Sequence, residues 1–133
     1  MTGYVIDASA AFEYLLKSPL GITVANTIGR ASLVAPELID AEVLSVLRKT
    51  VLAGRLEEER ARMAVDDLVR WPVVRVRHRE LALRAWTHHR NVTAYDALYV
   101  ACARLYGLPL LTADSRMARA SGLGVVMHDV RMT

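Results

Sequence analysis

Tyr95-Asp96-Ala97-Leu98-Tyr99-Val100-Ala101-Cys102-Ala103-Arg104-Leu105-Tyr106-Gly107-Leu108-Pro109-Leu110-Leu111-Thr112-Ala113-Asp114 is a stretch of two halves. The spacing predicts a helix from Ala94 to Tyr106. Thr93 is a good N-cap, and Gly107 sits where a left-handed C-terminal residue belongs. Within that helix Arg104 is the one charge after Asp96. A helix apolar nearly all round is expected to be buried nearly all round, so Asp96 enters a core element at its first turn. The second half, Leu108 to Thr112, is a short apolar run ending at Asp114. It reads as a buried parallel strand that delivers a carboxylate at its C-terminal edge.

Outward from this unit, strands and helices alternate. Tyr4-Val5-Ile6 is a strand ending at Asp7, and Ser9 is expected to cap a helix through Leu16. A helix from Pro19 to Gly29 follows, then a strand from Ser32 to Ala35. Helices are expected from Pro36 to Ala53, from Leu56 to Trp71 and from Arg79 to His89. Val73 to Val76 reads as an edge strand, because Arg75 and Arg77 alternate with valines. A short helix from Ser115 to Ala120 and a strand at Val125-Val126-Met127 close the chain. The pattern is that of an α/β fold with a mostly parallel five-stranded sheet and helices on both faces. No repeat, low-complexity tract or linker interrupts it, so residues 1–133 are read as one domain.

Composition narrows the classes. No apolar run approaches the ~18–20 residues of a membrane span, and no signal peptide is evident, which leads us to expect a cytoplasmic protein without a membrane partner. A single cysteine, Cys102, excludes an internal disulfide framework and a cysteine-based zinc site; it reads as ordinary core. Fifteen of the seventeen basic residues are Arg, the type suited to forked phosphate contacts. Between Arg48 and Arg90, eleven basic residues face six acidic ones. That excess is either a solvated basic face or a phosphate-backbone footprint. His88 and His89 are adjacent and diverge on a helix, so a surface or interface role is expected.

Four carboxylates each have an innocent explanation. Asp7 can start a turn, Thr93-x-x-Asp96 resembles a capping box, Asp114 can cap the last helix, and Glu42 can face solvent. Together they point elsewhere. Asp7 and Asp114 follow strands at the edge where open α/β sheets gather functional groups. Asp96 opens the helix feeding one of those strands, and Glu42 lies about two turns into a helix leaving the same edge. Like charges so gathered repel or take up protons. A hard cation, Mg²⁺ or Mn²⁺, removes the conflict with oxygen ligands.

Val5-Ile6-Asp7-Ala8-Ser9-Ala10, Pro36-Glu37-Leu38-Ile39-Asp40-Ala41-Glu42-Val43, Tyr95-Asp96-Ala97-Leu98-Tyr99-Val100-Ala101 and Leu111-Thr112-Ala113-Asp114 resemble the successive motifs of PIN-domain ribonucleases. In size the chain resembles VapC, the toxin of a type II toxin–antitoxin pair. The resemblance runs essentially end to end. It implies an acidic quartet of Asp7, Glu42, Asp96 and Asp114 binding Mg²⁺ or Mn²⁺, with Ser9 and Thr112 as hydroxyls beside it. Asp40 has no fixed place in that pattern. The implied chemistry is endoribonucleolytic hydrolysis of RNA phosphodiester bonds by a water that the metal acidifies and aims. Glu42 would be a ligand or would orient that water, and Arg116 or Arg119 could hold the flanking backbone. The implied partners are RNA, a VapB-type antitoxin whose tail covers the cleft, and a second copy in a homodimer or toxin–antitoxin hetero-oligomer.

Rival readings fare worse. A receiver domain wants a lysine after its last strand, but the lysines are Lys17 and Lys49. A HAD-type phosphatase wants a second aspartate where Ser9 stands. A non-catalytic PIN-like module that binds RNA or a partner is the remaining alternative. Four intact carboxylates argue against it, because gathered negative charge does not help to bind phosphate.

Overall fold

A computed structural model describes residues 2–132; residues 1 and 133, the ends of the expected domain, lie outside the described residues. In chain order the elements are β1 (Gly3–Ile6), α1 (Ala8–Leu16), α2 (Pro19–Ile28), β2 (Ser32–Pro36), α3 (Leu38–Leu52), α4 (Glu58–Arg70), β3 (Val74–Val76), α5 (His78–Trp86), α6 (Ala94–Tyr106), β4 (Leu110–Thr112), α7 (Ser115–Ala118) and β5 (Met127–Asp129). The sheet order is β3-β2-β1-β4-β5, and every pairing is parallel. The chain therefore walks outward from β1 through β2 to β3, then returns to β4 on the other side of β1. Right-handed crossovers in opposite directions place helices on opposite faces. The switch in direction falls between β1 and β4, where Val5 pairs with Leu110 and Ile6 with Leu111.

Apolar strands make this centre. Val5, Ile6, Ala35, Leu110 and Leu111 are fully buried, as a sheet covered on both faces requires. Helix α6 packs on β1, β2 and β4. Its middle, Ala97 and Tyr99 through Ala103, is buried, and Cys102 is ordinary core. Its ends are not: Tyr95, Leu105 and Tyr106 are exposed, so burial is less complete than composition predicts.

Several expected boundaries shift for identifiable reasons. Asp7, not Ser9, caps α1, because its side chain accepts from the Ala10 N–H at 3.0 Å. Pro36 ends β2 rather than starting α3; it pairs with Val76, and the ladder continues through Glu37 N–H to Val76 C=O at 2.8 Å. The fifth strand lies at Met127–Asp129, later than the apolar run suggests, because pairing with β4 sets the register Leu110–Met127, Leu111–His128, Thr112–Asp129. Helix α5 stops at Trp86, so His88 and His89 lie in the turn beyond it. His89 is exposed and stacks on Trp86 with centroids 4.2 Å apart. His88 is buried, contrary to expectation, and burial and then Arg104 hold its pKa below the ordinary value.

β3 is an edge strand, as the alternation of Arg75 and Arg77 with valine predicts, but the Arg75 side chain turns inward. Its Nη2 donates to Asp40 Oδ1 at 2.9 Å and to Leu68 C=O at 2.8 Å, and Nη1 donates to Trp71 C=O at 2.8 Å. Asp40 thereby finds its role, joining α3 to the α4–β3 connection. Among the described residues no helix is long and apolar enough to cross a membrane.

Candidate active site

The parallel sheet delivers β1 and β4 to one edge, where Asp7 directly follows β1 and Asp114 stands two residues beyond β4. The backbone N–H of Asp7 continues the ladder to Leu111 C=O at 3.1 Å, which sets Asp7 beside Thr112. Thr112 is fully buried, and its hydroxyl donates to Asp7 Oδ2. Ser9 Oγ donates to Asp7 Oδ1 at 2.6 Å and accepts from Ala113 N–H at 2.9 Å. Thr112 Oγ1 also accepts from Asp114 N–H at 3.0 Å. Two hydroxyls thus staple the end of β1 to the end of β4 around one carboxylate.

Asp7 is buried, and burial pushes its pKa up to about 6. The bonds from Ser9, Thr112 and Ala10 oppose that rise, and the neighbouring Asp114 adds to it. Asp114 caps α7, accepting from Arg116 N–H at 3.0 Å. Asp96 follows the α6 cap, where Thr93 Oγ1 accepts the Asp96 N–H at 3.2 Å. The innocent capping roles of Asp114 and of Thr93 before Asp96 are therefore real, and coexist with the shared cleft. Burial raises the Asp96 carboxyl above its ordinary value against the pull of Arg116. The Arg116 guanidinium lies 3.3 Å from Asp114 Oδ2 and 3.8 Å from Asp96 Oδ2.

Glu42 reaches the same place from α3. Its Oε1 accepts from Tyr99 Oη at 2.7 Å. Tyr99 is buried, and burial and then Glu42 push its phenol pKa upward, so it stays a donor. Asp7, Glu42, Asp96 and Asp114 all line one cleft of about 300 Å³, with Ser9, Ser45, Lys49, Tyr99 and Arg116. Sequence reading brought the quartet, Ser9, Thr112 and Arg116 to this edge but missed Tyr99, Ser45 and Lys49. The signal for Tyr99 was its position three residues after Asp96, on one face of a helix. Ser45 and Lys49 lie three and seven residues after Glu42 on α3, again one face. A larger groove of about 480 Å³ lies between α1, α2 and α4, beside the stacked Tyr14 and Trp71, but holds one acidic residue, Asp67.

The donor set bears on a metal. Among the described residues, no three acidic, imidazole or thiol groups stand close enough to clasp one ion directly. The chemistry of the set nonetheless fits Mg²⁺ or Mn²⁺: the donors are carboxylate and hydroxyl oxygens converging on one cleft, with a buried carboxylate beside a second one. Mg²⁺ keeps several waters and commonly takes one or two carboxylates directly, so looser spacing suits it.

The PIN domain family model matches residues 4–123. Ribonuclease VapC1 of Mycobacterium tuberculosis is 41% identical over 129 residues, covering 96% of this chain and 97% of the relative. Among solved structures, PAE2754 from Pyrobaculum aerophilum matches with a TM-score of 0.67 at 23% identity, over 98% of this chain and 85% of its own. A toxin–antitoxin complex from Klebsiella pneumoniae matches with a TM-score of 0.57 at 14% identity, over 96% of this chain and 99% of that one. Both structural likenesses concern the fold. With an all-parallel sheet in the order β3-β2-β1-β4-β5, carboxylates at its switch point, and this likeness over nearly its whole length, the chain belongs to the PIN-domain family, in its VapC branch.

Proposed function

We propose that this protein is an endoribonuclease that hydrolyses RNA phosphodiester bonds with Mg²⁺ or Mn²⁺, and that it acts as the toxin of a toxin–antitoxin pair. One observation carries the reading: four carboxylates from separate parts of the chain line a single cleft at the sheet's switch point. The naming of VapC1 as a ribonuclease supports the substrate class. Asp7, Asp96 and Asp114 would hold the cation, in part through its waters, with Glu42 beside them. When bound, the cation supplies charge neutralisation at the phosphate and lowers the pKa of a water.

The chain's own residues do the rest. Ser9 and Thr112 hold the Asp7 carboxylate in one orientation. Tyr99 fixes Glu42 through Oε1, which leaves the other oxygen to orient the attacking water and take its proton. Lys49 and Arg116 line the cleft as cations for the phosphates flanking the cut. Sequence-specific targets are best sought in single-stranded or loop regions, whose bases are open to side chains.

The partner is a VapB-type antitoxin that covers the cleft; the likeness to a toxin–antitoxin complex from Klebsiella pneumoniae supports that class of partner. Exposed Leu83 and Trp86 on α5 and Tyr95 on α6 supply apolar surface for a homodimer or a toxin–antitoxin hetero-oligomer. A non-catalytic binding role would leave four gathered carboxylates facing the phosphates they were meant to attract. Purified protein should cut a mixed RNA pool with Mg²⁺ or Mn²⁺ and not with EDTA, and Asp96→Asn should abolish cutting. Equal cleavage by the Asp96→Asn protein removes the basis for the assignment.

A further inference from the structure

Arg116 lines the cleft, but its guanidinium is already engaged there. Its guanidinium is directed at two members of the acidic quartet, 3.3 Å from Asp114 Oδ2 and 3.8 Å from Asp96 Oδ2. Its own backbone N–H is bound to Asp114 Oδ1 at 3.0 Å, so the base of the side chain is anchored to the carboxylate that its tip also contacts. Asp96 and Asp114 are like charges lining one cleft, and the Arg116 guanidinium reaches both. A single positive group thus occupies the space between two negative ones.

We infer that Arg116 is a resident counter-cation for Asp96 and Asp114, which a divalent metal must displace before the site is loaded. The inference rests on the metal-dependent reading proposed above and adds to it a built-in threshold for metal. A guanidinium and a dication between the same two carboxylates repel each other, so occupancy by one lowers affinity for the other.

Two features make the displacement feasible. The Arg116 side chain is 72% exposed, so its hold on the carboxylates is the weak, screened kind found at surfaces. It also has somewhere to go. Arg116 and Asp96 also line a second, polar cavity of about 440 Å³, together with His89, Arg90, Asn91 and Thr93. Arg116 and Asp96 therefore border both the acidic cleft and a neighbouring space with room for a side chain.

The test compares metal affinity in wild type, Arg116→Gln, Arg116→Lys and Arg119→Gln. Arg119 is exposed on the same short segment but does not line the cleft, so it controls for a general change in charge. Affinity is read without RNA, from Mn²⁺ titrations followed by electron paramagnetic resonance and from Mg²⁺-dependent thermal melts. Arg116→Gln should bind metal about two- to fivefold more tightly, the ratio that losing one exposed ion pair allows. Arg116→Lys, which keeps the charge, should fall between it and wild type, and Arg119→Gln should match wild type. Equal or weaker metal binding by Arg116→Gln overturns the inference, as does an equal gain in Arg119→Gln. The absence of any metal effect in wild type and Arg116→Gln together overturns the metal-dependent reading as well, so the two failures are distinguishable.

Discussion

The phenol of Tyr99 on α6 donates a 2.7 Å hydrogen bond to the Glu42 carboxylate on α3, across 57 residues of sequence. It couples the two helices that carry Asp96 and Glu42, and it fixes one oxygen of a cleft carboxylate from a buried position. Tyr99→Phe removes this bond while keeping the ring. A hydrogen bond to a charged group contributes roughly 1.5–3 kcal/mol. If that hold serves the reaction, kcat for RNA should fall by about ten- to a hundredfold with little change in KM. Single-turnover cleavage measures it. An unchanged kcat would mean that the position of Glu42 does not matter to the reaction.

Asp7 makes stability depend on pH with a definite sign. Its folded pKa of about 6 lies above the ordinary value of 3.8, so the folded protein binds the proton more tightly than the unfolded chain does. The contribution is fully present below about pH 4 and is lost as pH rises through about 6. In EDTA, wild type should lose up to about 3 kcal/mol across that window relative to Asp7→Asn. Chemical denaturation of both proteins at pH 4, 5, 6 and 7 checks this. Parallel pH profiles would show that Asp7 does not titrate as its burial implies.

Arg75 and Arg77 lie two residues apart and should behave oppositely. Arg75 bonds Asp40 and three backbone carbonyls, whereas Arg77 is exposed and meets Glu80 at 3.6 Å. Arg75→Ala should cost about 2–4 kcal/mol of stability, because buried carbonyl partners lose their donors. It should leave the salt dependence of RNA binding unchanged. Arg77→Gln should leave stability nearly unchanged, and should make the salt slope shallower by about one contact if it touches phosphate. A shallower slope for Arg75→Ala at intact fold would instead place Arg75 on the RNA surface.

Much of this was legible in the sequence, and the parts that were not share a cause. Strand–helix alternation and the residues following Ile6 and Thr112 set the sheet edge, because a buried parallel strand leaves a strong apolar signature. The three-residue strand β5 was misplaced because its limits come from pairing with β4, not from its own composition. The inward contacts of Arg75 were not legible, because alternation with valine correctly marks an edge strand but not what a long side chain reaches across the fold. Tyr99 and Lys49 were passed over because a tyrosine in an apolar helix and a lysine on an amphipathic one look like core and surface. Their relation to the carboxylates exists only once α3 and α6 are packed.

The toxin role is tested apart from the chemistry. Induced expression in a bacterial host should arrest growth, and a co-expressed VapB-type partner should relieve the arrest. Normal growth with abundant, folded protein that still cuts RNA in extracts would contradict the toxin role and leave the nuclease standing.

The most direct measurement asks whether Asp7, Asp96 and Asp114 act as one metal site. Thermal melts in EDTA and in graded Mg²⁺ are compared for wild type, each single Asp→Asn variant and the Asp7→Asn/Asp114→Asn double variant. Each Asp→Ala variant is run beside them, since Asn retains capping ability. Metal that binds the folded state should stabilise wild type by ~2.7 kcal/mol when free Mg²⁺ is about 100-fold above its dissociation constant. The gain should shrink in every single variant and nearly vanish in the double one. An equal Mg²⁺ shift in wild type and all variants would contradict a shared site, and the nuclease mechanism built on it would fail.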